Sequence, residues 1–490
     1  MPASELIERV SELIAAVEAE VPPGVREQLA ALQLRLREPP RVAVVGRVKA
    51  GKSTLVNALL GQRVAPTDVS ECTQVVTWFR YGHPERIVIR LRDGSATESQ
   101  LTAEGTLPAT LGVPPESVAS IQAYLTNEQL RSMTLIDTPG IGSVHAERSA
   151  STEELLRAER DSNAAGAGAD AVVFLLNQTM MEDELKVLEL FRPGSAIGGK
   201  SAANTVGVLS RADQLGDGGD PWQVAVELSN HYAGVFRDQV ATVVPVIGLI
   251  AETAEAACFT EQDVVQLGAL ATADAKQVER LMWSADRFVS AEAPVPSDDR
   301  ERLLALLDLY GIRQAINLIG EGVGSAGPLR RELSSRSGIA EVKRMLNTYF
   351  HEHDHLLKVR SAVDILDRLS YGHGKDDGRG ALLRLRSGVE ALRLDPVMQP
   401  VAELEVWHDC CSGRVQLPIE YVEEMRRLFA PGTPANRLGL DTADPAQVRE
   451  AARAAMARWR TFMVSEAAPV QARVARVVTR SYQLLWEAAQ

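Results

Sequence analysis

The chain has 490 residues, of which 45% are hydrophobic, and a formal net charge of −13. This length indicates more than one domain, and the hydrophobic content is sufficient for buried cores. The acidic balance argues against nucleic acid as a partner, because a surface that neutralises phosphate groups is normally basic.

The sequence predicts neither a secretion signal nor a membrane-spanning helix. The first residues, Met-Pro-Ala-Ser-Glu-Leu-Ile-Glu, begin an amphipathic helix and not a signal peptide. No apolar run reaches the roughly 18 residues that a membrane span needs. The four cysteines follow no disulfide or metal-site spacing, which is typical of a reducing cytoplasm.

Two helices are predicted before the first strand. One covers residues 3–20, and the next ends near Glu38, where Pro39 and Pro40 stop it. We assign residues 1–39 to N-terminal helices that contribute to a helical bundle.

The strongest motif is a phosphate-binding loop (P-loop), Gly46-Arg47-Val48-Lys49-Ala50-Gly51-Lys52-Ser53, of the form G-x-x-x-x-G-K-S. A predicted strand at residues 41–45 precedes it and a helix from Thr54 follows, an order that aims backbone N–H groups at phosphate. Gly46 and Gly51 allow the backbone to approach the anion closely. Lys52 would reach the β- and γ-phosphates, and the Ser53 hydroxyl would bind Mg²⁺. The chain is therefore expected to bind a nucleoside triphosphate.

A second strand, predicted from Arg131, ends in Asp137-Thr-Pro-Gly140. The Asp137 carboxylate can hold Mg²⁺ through its water shell, and the Gly140 N–H can sense the γ-phosphate. At this distance after a P-loop, the motif is typical of a switch GTPase. Between the two motifs, Thr73 is the first candidate for the threonine that binds Mg²⁺ and fixes the attacking water in such enzymes, and Thr77 is the second.

Further strands are predicted at residues 171–176, 205–209 and 242–248, and the second of these leads into Ser210-Arg211-Ala212-Asp213. A GTPase carries its guanine-reading N/T-K-x-D motif at this place. Asp213 can accept two hydrogen bonds from the guanine N1–H and 2-amino groups, and adenine offers no such pair. Arg211 stands in for the usual lysine and can stack on the base.

Together these motifs resemble those of the bacterial dynamin-like GTPases. Residues 50–59, 65–68, 76–80, 170–176 and 210–213 are most similar to the actinobacterial isoniazid-inducible (IniA/IniC-type) group. The resemblance implies an α/β P-loop GTPase domain at residues 40–290, with a mostly parallel sheet and flanking helices, that binds GTP or GDP with Mg²⁺. It also implies an elongated all-α neck and trunk at residues 291–490.

The candidate site residues follow from these motifs. Lys49 either supplies a positive charge in place of a monovalent cation or an arginine finger, or it is a solvated loop lysine. The candidate catalytic residues are Thr73, Lys52 and Lys49; the metal ligands are Ser53, Thr73 and Asp137; and the nucleotide-binding residues are Gly46, Val48, Lys49, Ala50, Gly51, Lys52, Ser53, Thr54, Asp137, Gly140, Ser210, Arg211 and Asp213.

The C-terminal part is predicted to be almost wholly helical. Its last helix is expected to run over residues 446–489, roughly 65 Å at about 1.5 Å per residue, with a kink at Pro469. Its arginines are expected to pair with glutamates of the N-terminal helices. The resemblance implies a trunk tip that contacts lipid. Leu428 and Phe429 are the candidates because they follow two arginines and precede the helix-breaking pair Pro431-Gly432. The loop near Tyr371 is the competing site.

The resemblance implies a cytoplasmic protein, peripheral on the inner face of the cell membrane, that couples GTP hydrolysis to membrane remodelling by fission, fusion or repair. Its expected partners are a second copy or a dynamin-like paralogue, and anionic lipids. The alternative is a soluble regulatory GTPase switch or scaffold that acts through a protein partner. A third hypothesis, an ATP-driven motor, would be supported if Asp213→Ala left the nucleotide preference unchanged.

Overall fold

The computed structural model of the chain describes residues 3–47, 49–67, 75–139, 169–178, 205–215, 220–236, 239–347, 354–371, 379–411, 414–430, 432–441 and 444–489. Helices and strands are numbered in chain order within these ranges.

The described strands form one nine-stranded sheet of order β4-β3-β5-β2-β6-β1-β7-β8-β9. They are β1 (Arg41–Val45), β2 (Thr77–Tyr81), β3 (Arg86–Leu91), β4 (Ala96–Ser99), β5 (Val118–Leu125), β6 (Thr134–Asp137), β7 (Ala171–Leu176), β8 (Thr205–Ser210) and β9 (Thr242–Val246). The pairings of β1 with β6 and β7, and of β8 with β7 and β9, are all parallel. The loops that follow β1, β6 and β8 therefore leave the sheet at the same edge, where parallel sheets bind ligands.

The strands that carry the motifs are confirmed. Every residue of β1, β7 and β8 is buried, as expected of apolar parallel strands with both faces covered. The strand predicted from Arg131 begins only at Thr134, because Gln129–Ser132 forms a short helix (α4). Sequence patterns missed β3, β4 and β5; β4, for example, reads Ala-Thr-Glu-Ser and is largely exposed, so it carries no apolar alternation.

Helices cover both faces of the sheet. Ala43 and Val45 of β1 lie in one buried core and Val42 and Val44 in another, because successive side chains of a strand point to opposite faces. The helices beside the sheet are α3 (Lys52–Leu60), α5 (Pro221–Val235), α6 (Gly248–Glu255), α7 (Glu261–Ala271), α8 (Ala275–Leu281), α9 (Ala285–Ser290), α10 (Ser297–Gly320), α11 (Ala326–Arg336) and α12 (Ile339–Met345).

The α/β unit extends further along the chain than the predicted boundary at residue 290. Leu303 and Leu307 of α10 are buried in the core that contains Ala43, and Ile339 and Val342 of α12 in the core that contains Val42. The sheet thus needs these helices, which lie past residue 290, to cover its apolar faces.

Among the described helices, only α10 has the length and composition that could cross a membrane. Its apolar residues have another explanation, since Leu303, Leu306, Ile312 and Leu318 are buried in the sheet core. A helix that packs against a sheet along its length carries such a composition for that reason alone.

The remaining helices form two further groups. They are α1 (Ala3–Ala15), α2 (Pro23–Arg37), α13 (Asp354–Ser370), α14 (Arg379–Leu394), α15 (Gln399–Cys411), α16 (Ile419–Leu428), α17 (Pro434–Leu438), α18 (Pro445–Ser465) and α19 (Pro469–Ala488). In the first group, which we call the neck, α1 and α2 share a core with α13 and α14, as Val10, Leu29, Val359 and Leu385 show. Helices from both ends of the α/β unit therefore meet in one bundle, as the sequence predicted.

The second group, which we call the trunk, contains α16 to α19 and the end of α15 from Val406. It contradicts the prediction of one long final helix. The chain reverses between Ser465 and Pro469, so that α18 and α19 pack side by side as a helical hairpin. Arg449 Nη1 donates a hydrogen bond to the carbonyl oxygen of Ala489 at 3.0 Å, which places the two far ends of the hairpin together. Pro469 does not kink a helix; it occupies the first turn of a new one, where its missing N–H has no cost.

The predicted pairing between C-terminal arginines and N-terminal glutamates is also wrong. Arg473 bonds Glu405 of α15 at 2.7 Å and Arg458 bonds Glu424 of α16 at 3.0 Å. Glu20 of the N-terminal segment instead pairs with Arg384 of α14. Glu405 also pairs with Arg360 of α13 at 3.2 Å, so this carboxylate links the neck to the trunk.

Candidate nucleotide site

The P-loop joins β1 to α3, and its two glycines stand where a side chain would clash or would strain the backbone. A Cβ at Gly46 would lie 2.9 Å from the Cβ of Leu175 on β7. Gly51 has φ +93°, a backbone conformation that residues with a side chain rarely adopt. Lys49 also lies in the left-handed region, with φ 62°. The loop thus adopts the tight turn that its sequence predicts.

Lys52 opens α3 and is buried in the loop. Its Nζ donates a hydrogen bond to the carbonyl oxygen of Arg47 at 2.9 Å. Burial lowers the pKa of Lys52, and the charge of Asp137 partly opposes this effect. A buried ammonium group with a neutral partner gains free energy when an anion approaches, so Lys52 is suited to a phosphate.

Ser53 and Asp137 are brought together from α3 and β6. Ser53 Oγ donates to Asp137 Oδ2 at 2.8 Å. Asp137 Oδ1 is buried and has no hydrogen-bond partner among the residues that the structure describes. Burial raises the pKa of Asp137, while Lys52, Ser53 and the Thr138 N–H act against it. Next to the γ-phosphate side of the loop, this carboxylate would be stabilised by a cation.

The fit of Mg²⁺ can be judged from this donor set. Mg²⁺ prefers oxygen ligands and is normally held by one or two protein oxygens together with substrate phosphates and waters. Ser53 Oγ and the unpartnered Asp137 Oδ1 provide such oxygens. Within the described ranges, no three His, Cys, Asp or Glu side chains form a metal-binding group. The Ser53–Asp137 pair therefore fits the ion, with phosphate oxygens completing the shell.

The other end of the site lies after β8. Arg211 has φ 55°, which turns the chain sharply into the short helix Ala212–Gln214. Its Nη2 donates to the carbonyl oxygen of Lys49 at 2.7 Å, so the base-reading motif is tied directly to the P-loop. Burial raises the pKa of Asp213; Asp308 raises it further and Arg211 opposes the shift.

A cavity of about 260 Å³ connects these elements. Six predicted residues line it: Ala50, Gly51, Thr54, Ser210, Arg211 and Asp213. The P-loop and the segment Ser210–Asp213 thus face one pocket.

Three predicted residues, Val48, Thr73 and Gly140, lie outside the described residues. The second switch candidate, Thr77, is buried in β2 directly opposite Asp137 of β6. Its place in the ladder keeps it close to Asp137, the predicted metal ligand.

Eight residues that line the pocket were not among the predicted site residues: Leu55, Leu175, Val208, Gln214, Val246, Gly248, Leu249 and Asp308. Gly248 and Leu249 follow β9, which was expected to close the sheet near the base. Asp308 belongs to no motif; the one sign in the sequence is a single carboxylate inside the apolar run of residues 303–319.

The predicted membrane tip at Leu428 and Phe429 is contradicted. Leu428 is 0% exposed in the trunk core, and Phe429 packs edge-on against Trp407 with ring centroids 6.4 Å apart. Leu428 therefore has no surface for lipid, and the half-buried Phe429 follows α16 and packs against a neighbouring helix.

The sequence has related proteins of known name. The Dynamin family model matches residues 42–186. The isoniazid-induced protein IniC of Mycobacterium tuberculosis is 33% identical over 443 residues, which cover 88% of this chain and 87% of the relative. Dynamin-like protein 2 of Campylobacter jejuni is 24% identical over 193 residues, or 39% of this chain and 29% of the relative.

A solved structure of an oligomerised bacterial dynamin pair, described as a mechanism for the long-range sensing and tethering of membranes, aligns over 100% of this chain and 76% of its own. The identity is 13% and the TM-score 0.33. A TM-score this low does not establish a common overall fold, so the sequence relatives alone carry the assignment.

Proposed function

The chain belongs to the bacterial dynamin-like family, in the group of the isoniazid-induced protein IniC, and on that premise we propose that it hydrolyses GTP with Mg²⁺ and couples the hydrolysis to membrane remodelling. The observation that carries the nucleotide part is a single pocket lined by Ala50, Gly51 and Thr54 of the P-loop and its helix together with Asp213. Lys52, and Ser53 bonded to Asp137, belong to the same loop and helix.

The position of each residue in the site indicates its role. Lys52 would exchange the Arg47 carbonyl for phosphate oxygens and stabilise the charge that develops during transfer. Ser53 and Asp137 would hold Mg²⁺, which neutralises phosphate charge when bound. Asp213 would select guanine, and Arg211 would keep the P-loop in register with the base through its bond to Lys49.

Steady-state hydrolysis of GTP and ATP, with Mg²⁺ and with a chelator, tests this part. GTP turnover that requires Mg²⁺ and falls at least 100-fold (about 2.7 kcal/mol) in Lys52→Ala is expected. Arg331→Ala, a change on the surface of α11, is the matched control and should retain turnover. Equal use of GTP and ATP, or chelator-insensitive turnover, would refute the proposal.

For the membrane part, the turn of the trunk hairpin replaces the tip predicted from the sequence. Val464 is 84% exposed and Val470 57% exposed on either side of this turn. Gln471 Nε2 bonds the carbonyl oxygen of Gln416 at 2.6 Å, which brings the 71%-exposed Ile419 to the same end. Neighbouring exposed apolar side chains mark surfaces that bind partners or lipid, and we assign lipid contact to this end of the trunk.

Sedimentation with vesicles of neutral and anionic phospholipid tests the assignment. Val464→Asp combined with Val470→Asp should reduce the pelleted fraction several-fold, because two charges would enter the lipid surface. Val265→Asp, at a 64%-exposed valine of α7 beside the sheet, is the matched control and should pellet as the wild type does. Loss of binding in the control alone would place the lipid surface elsewhere.

The neck connects the nucleotide-binding α/β unit to the trunk. α2 leads into β1 within four residues, and Lys358 of α13 donates to the carbonyl oxygen of Glu38 between them. A change at the nucleotide can thus reach both neck segments through the central strand. We further propose assembly with a second copy or a dynamin-like paralogue, and a location at the inner face of the cell membrane.

A further inference from the structure

Helix α10 is interrupted at a single residue. Asp308 has φ 52° and ψ 175°, within a helix that runs from Ser297 to Gly320. Only glycine visits this region readily, so an aspartate here is a strained choice. Packing holds the break in place: Leu307 is buried before it, and after it Gly311 lies so close to α6 that a Cβ there would be 3.0 Å from Ile250.

The break places Asp308 at the wall of the nucleotide pocket. Asp308 lines the same cavity as Asp213 and Gly248. Its Oδ1 accepts a hydrogen bond from the N–H of Leu309 at 2.6 Å, a group that the break removes from the helical ladder. This bond fixes the carboxylate locally and engages one of its two oxygens.

The negative charges at the pocket favour a ligand that donates hydrogen bonds. Two carboxylates, Asp213 and Asp308, face one cavity. Burial raises the pKa of Asp213, and the negative charge of Asp308 raises it further. The Arg211 guanidinium, which belongs to a lining residue, is bound to the Lys49 carbonyl. A ligand with several N–H groups along one edge would relieve the repulsion between the carboxylates, whereas a ligand with acceptors there would increase it.

We propose that Asp308 is a second guanine-reading carboxylate, which accepts a hydrogen bond from the 2-amino group beside the pair of bonds that Asp213 accepts. Guanine offers three N–H bonds on this edge, one at N1 and two at the 2-amino group, and the pair of aspartates provides acceptors for all of them. Adenine presents an acceptor at N1 and no amino group at C2, so both carboxylates would reject it. This inference rests on the proposed guanine-nucleotide function.

Binding of GDP, inosine diphosphate (which lacks the 2-amino group) and 2′-deoxy-GDP tests the inference. Wild-type protein should bind GDP more tightly than inosine diphosphate. In Asp308→Asn, which turns a donor toward the base, and in Asp308→Gly, that preference should fall about tenfold, the size expected for a hydrogen bond to a charged group. Glu301→Gln, an exposed carboxylate on the same helix, should leave it unchanged.

The glycine variant separates recognition from folding. Because glycine adopts a φ of +52° without strain, Asp308→Gly should unfold at the same temperature as the wild type or higher while it loses guanine preference. An unchanged preference in both variants would overturn the inference and leave Asp308 with a structural role. Equal losses for GDP and inosine diphosphate, together with lost discrimination against 2′-deoxy-GDP, would also overturn it, since the carboxylate would then contact the ribose. Absence of GDP binding in the wild type would instead refute the proposed function.

Discussion

At the scale of single residues, burial of the Asp137 carboxylate lowers the stability of the folded chain. Its Oδ2 is bonded to Ser53 while its Oδ1 has no partner in the described part of the chain, and burial raises its pKa. An unsatisfied buried carboxylate destabilises the folded state by roughly 1–3 kcal/mol. Such a group is explained by what it would bind, because a cation and a nucleotide would remove the cost.

The buried charge of Asp137 lowers the stability of the fold but is needed for GTP turnover. These opposite effects give a prediction for Asp137→Asn. Without nucleotide or Mg²⁺ at pH 7, the variant should be more stable than the wild type by about 1–3 kcal/mol, because no charge is then buried. Its GTP turnover should fall about 100-fold or more. Chemical denaturation and steady-state kinetics measure the two effects. Glu98→Gln, at an exposed position on β4, should change neither, and a variant with lower stability would contradict the account.

The raised pKa of Asp213 predicts how GDP binding depends on pH. Burial raises this pKa, Asp308 adds to it and Arg211 opposes it. Only the charged carboxylate accepts the guanine N–H bonds, so affinity should decline as the pH falls through a value above the ordinary 3.9 or so. Asp308→Asn removes the like charge and should move the midpoint to lower pH. Titrating both proteins in the same buffers cancels the protonation of GDP itself; a midpoint that moves upward would contradict the assignment.

Residues in local motifs could be found from the sequence, whereas Asp308 could not. The P-loop and Ser210-Arg211-Ala212-Asp213 are contiguous and carry their geometry in their glycines and turn residues. Asp308 reaches the pocket because α10 packs against α6 and breaks there. That placement depends on contacts between distant segments, which spacing along one chain does not reveal.

At the scale of elements, the turn between α11 and α12 fastens the late helices to the sheet. The carbonyl oxygen of Ser337 accepts a hydrogen bond from the N–H of Ile247 at 2.9 Å, at the end of β9. Gly338 has φ +81°, and a Cβ there would overlap the carbonyl oxygen of Pro245. This contact adds a hydrogen bond and close packing to the burial of α10 and α12 in the sheet cores.

A pair of glycine substitutions tests that attachment. Gly338→Ala should lower the free energy of unfolding by more than about 2 kcal/mol, because strained backbone and steric overlap add together. Gly327→Ala, inside α11 where the new methyl group would meet only Arg331 Nη1 at 3.9 Å, should stabilise by about 0.4–1 kcal/mol. Thermal and chemical denaturation give both values. Equal effects would show that the turn does not dock on β9.

The trunk hairpin misled sequence analysis for a physical reason. Val448, Ala452, Ala455 and Trp459 are buried at helical spacing in α18, and Val474, Val478 and Leu485 continue a similar spacing in α19. The two apolar stripes face each other across the hairpin, so the pattern along the chain resembles one seam. Proline is equally compatible with a kink and with the first turn of a helix.

Spin labels at Glu450 and Ala488, both exposed, distinguish the hairpin from a continuous helix. Side-by-side helices with axes about 8–10 Å apart should place the labels within about 20 Å. In one straight helix, the 38 residue steps between the labels would hold them roughly 57 Å apart. Dipolar spectroscopy on a cysteine-free background measures the distance, and a value near the longer estimate would contradict both the hairpin and the location of its exposed turn.

At the scale of the whole molecule, the chain passes twice through the junction between neck and sheet. Glu38 at the end of α2 pairs with Arg41 and Arg80, and its carbonyl oxygen accepts from Lys358 of α13. β1 begins at this junction and ends at the P-loop, so the strand joins the nucleotide pocket to the neck. The neck in turn leads to the trunk, whose hairpin turn carries the exposed valines.

The measurement that tests the central claim most directly is steady-state GTP hydrolysis with and without anionic vesicles, for the wild type and for Val464→Asp combined with Val470→Asp. The account predicts GTP-selective turnover that rises with vesicles in the wild type, and a variant that keeps its basal turnover but loses the rise. Vesicle-independent turnover in a wild type that stays out of the lipid pellet would contradict the membrane claim and favour a regulatory GTPase that acts through a protein partner.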